Sequence, residues 1–447
     1  MALAGFEFNW LGLPDKHRLV SQAMLFQFSQ TEKFSSEQLA QLQLASLKTL
    51  MRHCIDHVPY YQNERYFPVD SWDDWQRLPL LPRKAIQQSA DALHATVDLR
   101  SRDGRTAKKR TSGSTGRPLE VTVTERAQVY WSVNTVRDHL WQQRDFSRHL
   151  AVIKYTGHEG LEPPGKISQR WGSSTGLLFA TGQASTVSSS TDVEAQLRWL
   201  QELQPGYLVT YPSLLQALSR SSLASDRPLQ LAGISTMGET LSPETRRLAQ
   251  EAFGGRVADI YSCQELGYMA LQCPRYDHYH LMAESCLVEI LDEDNRTCRP
   301  GEMGRVVVTH LHNHVMPLIR YEIGDYAIAG GSCDCGITLP VVERIIGRSR
   351  NLVSYPDGRR SWPLTNSMAM MDVLPHAQFQ VVQKSVDTLL LRIGADTPVA
   401  DATLGELTSI LHKAIGYPFK MAYEQVDCIP RSASGKFEEF LSEIAPG

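Results

Sequence analysis

Between residues 192 and 261 the chain alternates amphipathic helices with short apolar runs, and that alternation confines it to an α/β architecture. Residues 192–203 carry Val193, Leu197 and Leu200 at helical spacing, and Pro205-Gly206 stops the pattern. Tyr207-Leu208-Val209-Thr210-Tyr211 then reads as a buried strand. Leu231-Ala232-Gly233-Ile234-Ser235 is the next strand. Ser242 and Pro243 suit the N-cap and first position of a helix running to Phe253, and residues 256–261 form the strand after it.

Other segments extend this frame. Residues 35–58 are predicted helical, with Ser35 and Gln38 as a capping box, Leu39, Leu42, Leu47, Leu50 and Met51 as the apolar side, and Pro59 past the end. The run 185–191 is rich in Ser and Thr and reads as a mobile loop. From 286 to 328 strands follow without helices, at 286–292, 305–311 and 317–328, with a turn at Pro300-Gly301. A mixed unit closes the chain, with a hairpin-like turn at Tyr355-Pro356-Asp357-Gly358, strands at 388–393 and 420–427 and a helix at 403–415. A chain of 447 residues has room for more than one core. The expected organisation is a large N-terminal α/β domain, 1–349, with layered sheets and a β-rich subdomain at 286–346. A small mobile α+β C-terminal domain, 350–447, follows.

Composition excludes several classes. A net charge of -4 argues against a broad nucleic-acid-binding face. The first twenty residues include Glu7 and Asp15 and lack the apolar core of a signal peptide, and no apolar run approaches about 18 residues, so no membrane span is expected. The chain reads as cytoplasmic. Its eight cysteines are too scattered for a disulfide scaffold, so clustered ones point to metal or reactive thiols.

The chemistry concentrates in five segments. Thr111, Ser112, Gly113, Ser114, Thr115 and Gly116 form an unbroken run that exposes backbone N–H groups and hydroxyls, an anion cradle. The spacing is not that of a Walker A loop. Lys108, Lys109 and Arg110 precede it and would attract a polyphosphate. Tyr261-Ser262-Cys263-Gln264-Glu265 lies where a predicted strand ends, and a carboxylate there can hold Mg²⁺. Asp325, closing Pro317-Leu318-Ile319-Arg320-Tyr321-Glu322-Ile323-Gly324-Asp325, can accept bonds from both ribose hydroxyls. Gly347-Arg348-Ser349-Arg350 offers a guanidinium to phosphate or ribose. Lys436, after the small residues of Ile429-Pro430-Arg431-Ser432-Ala433-Ser434-Gly435, is a point charge for a developing phosphate anion. Each segment alone also fits an ordinary surface turn, so the signal lies in the set and its order.

In that order the segments resemble the adenylate-forming superfamily of acyl-CoA synthetases, adenylation domains and luciferases. Within it the chain is most similar to the phenylacetate–CoA ligase-like and capsule-biosynthesis-associated branch. The likeness runs from His57-Val58-Pro59-Tyr60-Tyr61 and Leu78-Pro79-Leu80-Leu81-Pro82-Arg83-Lys84 to Lys436. It implies that residues 111–116 bind the ATP β- and γ-phosphates, that Gly238 and Glu239 line the adenine and that Tyr261 packs on it. It implies Glu265 for Mg²⁺, Asp325 for the ribose, Arg348 for ribose and phosphate, and Lys436 for the acyl carboxylate and α-phosphate. Arg350 falls at the hinge, where Asp or Lys is usual. Gln264 stands where a Thr or Ser usually meets the α-phosphate, Ser262 replaces a common Gly, and Leu119 replaces a Lys after the loop proline.

The implied activity is ATP-dependent conversion of a small-molecule carboxylic acid to an acyl-adenylate and pyrophosphate. Transfer to the thiol of coenzyme A follows. The branch also implies a homodimer as a common assembly. Two other readings compete: transfer to an amine or a carrier-protein thiol, and a degenerate nucleotide-binding interaction protein. Tyr155, Phe179, Tyr211 and Met237 are expected near the acyl group and suit an aryl or medium chain. Cys273 and His280, with Cys333 and Cys335, offer thiolate and imidazole donors for a structural Zn²⁺, His278 being the alternative imidazole. His310, His312 and His314 alternate at strand period and are expected on polar surface or along the acyl pocket.

Overall fold

The computed structural model describes residues 15–110, 119–156, 161–348, 353–361, 367–375, 377–395, 397–427, 429 and 437–444. Its main feature is a sheet of thirteen strands. Five of them, Ala184–Ser188, Leu150–Lys154, Tyr207–Thr210, Gly233–Met237 and Arg256–Cys263, lie side by side and parallel. The helices Val193–Leu203, Pro212–Leu223 and Pro243–Phe253 connect successive strands. Their apolar sides, including Leu197, Leu200, Leu215, Leu218 and Phe253, bury against the strands in one core. The ends of these helices follow local chemistry. Asp192 accepts the Ala195 N–H at 3.0 Å. Ser242 accepts the Thr245 N–H at 3.0 Å, with Pro243 just inside the helix as expected.

Beyond Arg256–Cys263 the pairing turns antiparallel, through Gly267–Gln272, Tyr279–Leu281, Val341–Arg348, Tyr321–Ala329, Met303–His310 and Cys286–Leu291. Tyr279–Leu281 pairs with a neighbour on both sides, so the β-rich segment continues the main sheet. The short strand Leu81–Pro82 pairs in parallel with Tyr321–Ala329. A separate four-stranded sheet, Lys420–Val426, Thr388–Gly394, Gln378–Ser385 and Phe440–Ser442, packs with Asp401–Ile415 around Leu389, Leu391, Leu407, Leu411 and Phe440. The strands Val353–Ser354 and Arg360–Ser361 flank the expected turn, where Gly358 has φ +85°.

Four expectations need correcting. The 185–191 run is not a loop at its start: Ala184–Ser188 is a buried strand between two partners. Its hydroxyls are small enough to bury, and Gln196 donates to the Ser188 and Thr191 carbonyls at 3.3 and 2.8 Å. The strand expected from 317 begins only at Tyr321, because Arg320 adopts a left-handed φ of +48°. The buried Arg320 guanidinium instead pairs with Glu289 at 2.9 Å and donates to the carbonyls of Gln76 and Leu78. The histidine alternation breaks because Met303–His310 ends at His310. His310 and His314 are buried rather than on the surface, and the partly buried His312 stacks on Tyr130. In the helix Ser36–His57 the capping box forms, but Leu42 faces solvent while Leu39, Leu47, Leu50 and Met51 are buried.

A buried ion pair ties the N-terminal helices to the sheet. Arg137 makes two bonds to Glu284, at 2.8 and 3.1 Å, and donates to the Phe28 carbonyl at 2.9 Å. Its guanidinium lies over the Phe28 ring at 4.5 Å and the Trp141 ring at 5.2 Å. Burial pushes the Glu284 pKa up, but Arg137 outweighs it and holds the carboxyl below its ordinary 4.5. A carboxyl whose pKa falls on folding contributes stability above 4.5 that is lost as pH drops through the folded value. Arg137→Met should therefore cost about 3–5 kcal/mol in urea unfolding at pH 7, because it strands a buried charge. The difference from the parent should shrink as pH falls below 4.5.

Candidate active site

The carboxyl ends of parallel strands are where α/β sheets place ligands, and the residues singled out in the sequence gather there. Gly238 and Glu239 follow Gly233–Met237 directly, and Tyr261 lies near the end of Arg256–Cys263. The chain then turns through residues 264–266 into Gly267–Gln272. Gly267 makes this turn possible. Its φ is +88°, and a Cβ there would stand 3.0 Å from the Trp131 ring. The turn leaves Gln264 exposed and buries Glu265.

Glu265 is 4% exposed. An Arg83 Nη lies 3.4 Å from its carboxylate, the Tyr321 hydroxyl donates to it at 3.4 Å, and Arg83 also donates to that hydroxyl at 3.1 Å. Burial, followed by the Glu265 charge, pushes the Tyr321 phenol up, so it stays a donor. Asp325 is held from two sides. The Tyr261 hydroxyl donates to one oxygen at 2.7 Å, and Arg348 Nε lies 3.1 Å from the other. Asp325 and Arg348 face each other across neighbouring strands. Asp325 is the largest influence raising the Arg348 pKa, and Glu265 adds to it, so both carboxylates share one field. Glu239 accepts the Ser213 N–H at 2.9 Å and the Phe437 N–H at 2.7 Å. Phe437 follows Lys436 in the chain, so the C-terminal segment reaches the strand-end site.

Tyr261, Glu265, Asp325, Arg348, Gly238, Glu239 and Gln264 are thus placed on one side of the sheet. Thr111, Ser112, Gly113, Ser114, Thr115, Gly116, Arg350 and Lys436 lie outside the described residues. Sequence reasoning gave Arg83 no role. It stands 182 positions from Glu265, and only the pairing of Leu81–Pro82 with Tyr321–Ala329 brings it there. A cleft opens beside Glu265 between the helix Glu125–Trp141 and the 264–267 turn, with Gln128, Trp131, Gln264 and His310 on its walls. The residues expected around the acyl group do not line this cleft. Tyr211 accepts the Tyr155 N–H at 3.1 Å, Phe179 stacks on Phe146 with ring centres 4.7 Å apart, and Met237 packs in a small core.

A second cluster lies apart from this cleft. Donor atoms of Cys273, His280, Cys333 and Cys335 all fall within 4.8 Å of one another. His280 Nδ1 is 3.0 Å from the Leu339 carbonyl, which leaves Nε2 directed at the thiols, 3.3 Å from Cys335 Sγ. Backbone N–H groups of Arg275, Cys335 and Ile337 donate to Cys273, Cys333 and Cys335 sulfur, each at 3.4 Å. His278 takes no place in the cluster. Its ring stacks on Tyr276 and its Nε2 is buried without a hydrogen-bond partner. Burial, reinforced by the neighbouring thiols, pushes the Cys335 thiol up to about 12.

Residues 110–317 match the AMP-binding enzyme family, and residues 364–443 match the CapK C-terminal domain. The phenylacetate-coenzyme A ligase of Thermus thermophilus is 24% identical over 399 residues, covering 84% of this chain and 85% of that protein. That of Pseudomonas putida is 23% identical over 328 residues, covering 66% of this chain and 67% of that one. A solved 2-hydroxyisobutyryl-CoA ligase in its postadenylation state superposes with a TM-score of 0.72 at 18% identity, covering 93% of this chain and 92% of its own. The same ligase in its thioesterification state gives 0.60, covering 98% and 95%. Residues 110–317 thus resemble AMP-binding enzymes, and the whole chain has the fold of the solved CoA ligase.

The turn that carries Glu265 makes a direct prediction. Gly267→Ala should cost about 1–3 kcal/mol in chemical denaturation, since it combines a strained φ with the Trp131 contact. Gly301→Ala, at φ +87° with nothing crowding the added carbon, should cost less, and a larger loss at Gly301 would contradict the assigned role of Trp131.

Proposed function

We propose that this chain is an ATP-dependent acid–thiol ligase that activates a small carboxylic acid as its adenylate and passes the acyl group to coenzyme A. The observation that carries the reading is the gathering of Tyr261, Glu265, Asp325 and Arg348 in one network of contacts and charge, with Glu239 bonded to the C-terminal segment. Matches to AMP-binding enzymes and to named CoA ligases support it.

In this reading the acid's carboxylate attacks the α-phosphorus of ATP. The bond between the α- and β-phosphates breaks and pyrophosphate leaves. The coenzyme A sulfur then attacks the acyl carbonyl, and AMP leaves with the C–O bond electrons. Tyr261 packs against adenine while its hydroxyl fixes Asp325, which accepts the ribose hydroxyls. Arg348 orients that carboxylate and offers its remaining N–H groups to ribose and phosphate. The run 111–116 cradles the β- and γ-phosphates. Lys436 neutralises charge as carboxylate and α-phosphate meet. Glu265 fits a divalent cation by donor chemistry, because it is a carboxylate that borders the cleft at the end of a parallel strand. Mg²⁺ bound there would offset the phosphate charge.

The division at residues 349 and 350, with Arg350 as hinge, allows the C-terminal domain to withdraw Lys436 between the two half-reactions. Lys436→Ala should lower adenylate formation by about 10²-fold or more, yet leave thiolysis of supplied acyl-adenylate near the parent rate. Pyrophosphate release with and without coenzyme A tests the acceptor: turnover without it, once an amine or carrier thiol is added, would redirect the second step.

The Cys273, His280, Cys333 and Cys335 set fits structural Zn²⁺ by donor chemistry: three sulfurs that accept N–H bonds and an imidazole oriented through its other nitrogen. Free thiols, and the absence among the described residues of a helix able to cross a membrane, fit a reducing cytoplasm. Metal analysis should find one Zn²⁺ per chain. Its removal by a chelator, or Cys335→Ser, should lower the melting temperature by about 5 °C. Pure protein without zinc would end this assignment.

A further inference from the structure

The helix Pro212–Leu223 faces two ways. Leu214, Leu215 and Leu218 bury into the core against the parallel strands. Ser213, Ala217 and Arg220 recur at spacings of four and three, so they form a stripe on the other side, and all three are only partly buried. At one end of that stripe the Ser213 N–H donates to one oxygen of Glu239, whose other oxygen accepts the Phe437 N–H. Two turns further, about 10 Å along the axis, stands Arg220.

Arg220 is the charged end of the stripe. Its Nε is buried and has no hydrogen-bond partner. Burial lowers the pKa of the guanidinium, and the carboxylates of Asp372 and then Glu439 oppose that loss. The group stays charged. Both carboxylates ride on the C-terminal domain. Asp372 belongs to the helix Ser367–Val373, whose Met370 is buried in the C-terminal core. Glu439 is fixed to the C-terminal sheet. Its carbonyl accepts the Val381 N–H at 2.8 Å, and the carbonyl of Glu438 accepts from Gln380 at 2.9 Å. One face of one helix therefore meets the C-terminal domain twice, by a backbone bond relayed through Glu239 and by opposite charge at Arg220.

We infer that Arg220 is a positioning residue that holds the C-terminal domain docked for adenylate formation. Phe437 adjoins Lys436 in the chain, so the docked arrangement is the one that delivers Lys436 to the strand-end site. Attraction without a fixed hydrogen bond suits a domain that must leave again, because it favours one orientation without locking it. Removing the attraction tilts the population toward the orientation of the second half-reaction. This inference rests on the acid-activating reading above.

Charge reversal tests it. The Phe437 N–H is protected by Glu239 only while the domains meet, so hydrogen exchange at residue 437 reads the docking without any substrate. Arg220→Glu should raise exchange there on the order of 10-fold. The strand Phe440–Ser442, paired within the C-terminal sheet, should keep its parent rate and so report an intact domain. Adding Asp372→Lys and Glu439→Lys to Arg220→Glu restores opposite signs and should bring exchange at residue 437 back to within about 2-fold of the parent. Arg220→Lys keeps the charge and should resemble the parent. With phenylacetate as the probe acid, Arg220→Glu should slow ATP–pyrophosphate exchange by about 10-fold. Thiolysis of supplied phenylacetyl-adenylate by coenzyme A should run at the parent rate or above, a split that a general loss of structure would not produce. Unchanged exchange at residue 437 in Arg220→Glu, no recovery in the charge-swapped variant, or equal slowing of both half-reactions would overturn the inference. Docking that responds as expected in a protein inactive with every carboxylic acid would instead overturn the ligase reading beneath it.

Discussion

The strand Arg256–Cys263 pairs in parallel on one edge and antiparallel on the other, and that change of partner governs the molecule. On its parallel side, every neighbour ends at the same rim and needs a helical crossover to return. On its antiparallel side, the chain can turn back at once, in the three residues 264–266. Only the second arrangement holds a carboxylate rigidly at the rim. A long βα loop would leave Glu265 in water. A tight turn pinned by Gly267 under Trp131 presses it into the wall.

Pressing a carboxylate into a wall has an electrostatic consequence. Glu265 and Asp325 are both largely buried on the same rim, and two uncompensated anions there would be prohibitive. Arg83, which opens the helix Arg83–Gln88, and Arg348, at the end of the strand Val341–Arg348, compensate them one each, arriving from distant parts of the chain. Phosphate would add still more negative charge. A site with built-in guanidinium groups can accept it, whereas an apolar cleft could not. The same account explains why the phenols of Tyr261 and Tyr321 point at carboxylates: raised by burial, they remain donors and stabilise anions without bringing a charge of their own.

Much of this was legible in the chain because it depends on local grammar. The caps at Ser35 and Ser242 mark helix starts through short-range bonds that do not wait on tertiary structure. Glu265 is visible because it sits just past a strand end; Asp325, expected to close a strand, lies midway along Tyr321–Ala329, and what marks it is Gly324 before it. What escaped reading is what sequence distance conceals. Arg83 meets Glu265 only through a two-residue edge strand. The Ser/Thr strand Ala184–Ser188 looks like a loop because its burial is set by neighbours on both sides rather than by its own hydropathy. The His310, His312 and His314 triplet looks periodic, but the strand stops at its first member, so the three rings take three different partners. Of the aromatic residues expected near the acyl group, Tyr211 packs in the helix–sheet core and Phe179 stacks on Phe146.

The cysteine cluster and the nucleotide rim belong to the same strand pair, at opposite ends. Arg256, at the start of the strand that later carries Tyr261, donates to the Cys273 carbonyl at 2.7 Å. Halfway along, Asp259 receives the Tyr279 hydroxyl at 2.8 Å, while its N–H donates to Gln272 at 2.6 Å. Burial raises the Asp259 pKa, and its partners Thr236, Tyr279 and Gln272 come from three other strands, so the contact holds only while these stay in register. A register slip of one residue would turn every side chain to the other face. A bound ion at the cysteines would clamp the loop joining Gly267–Gln272 to Tyr279–Leu281, which is the end where such a slip must start. An ion held there would act on the rim without touching a ligand, through the base of the strand whose far end carries Tyr261.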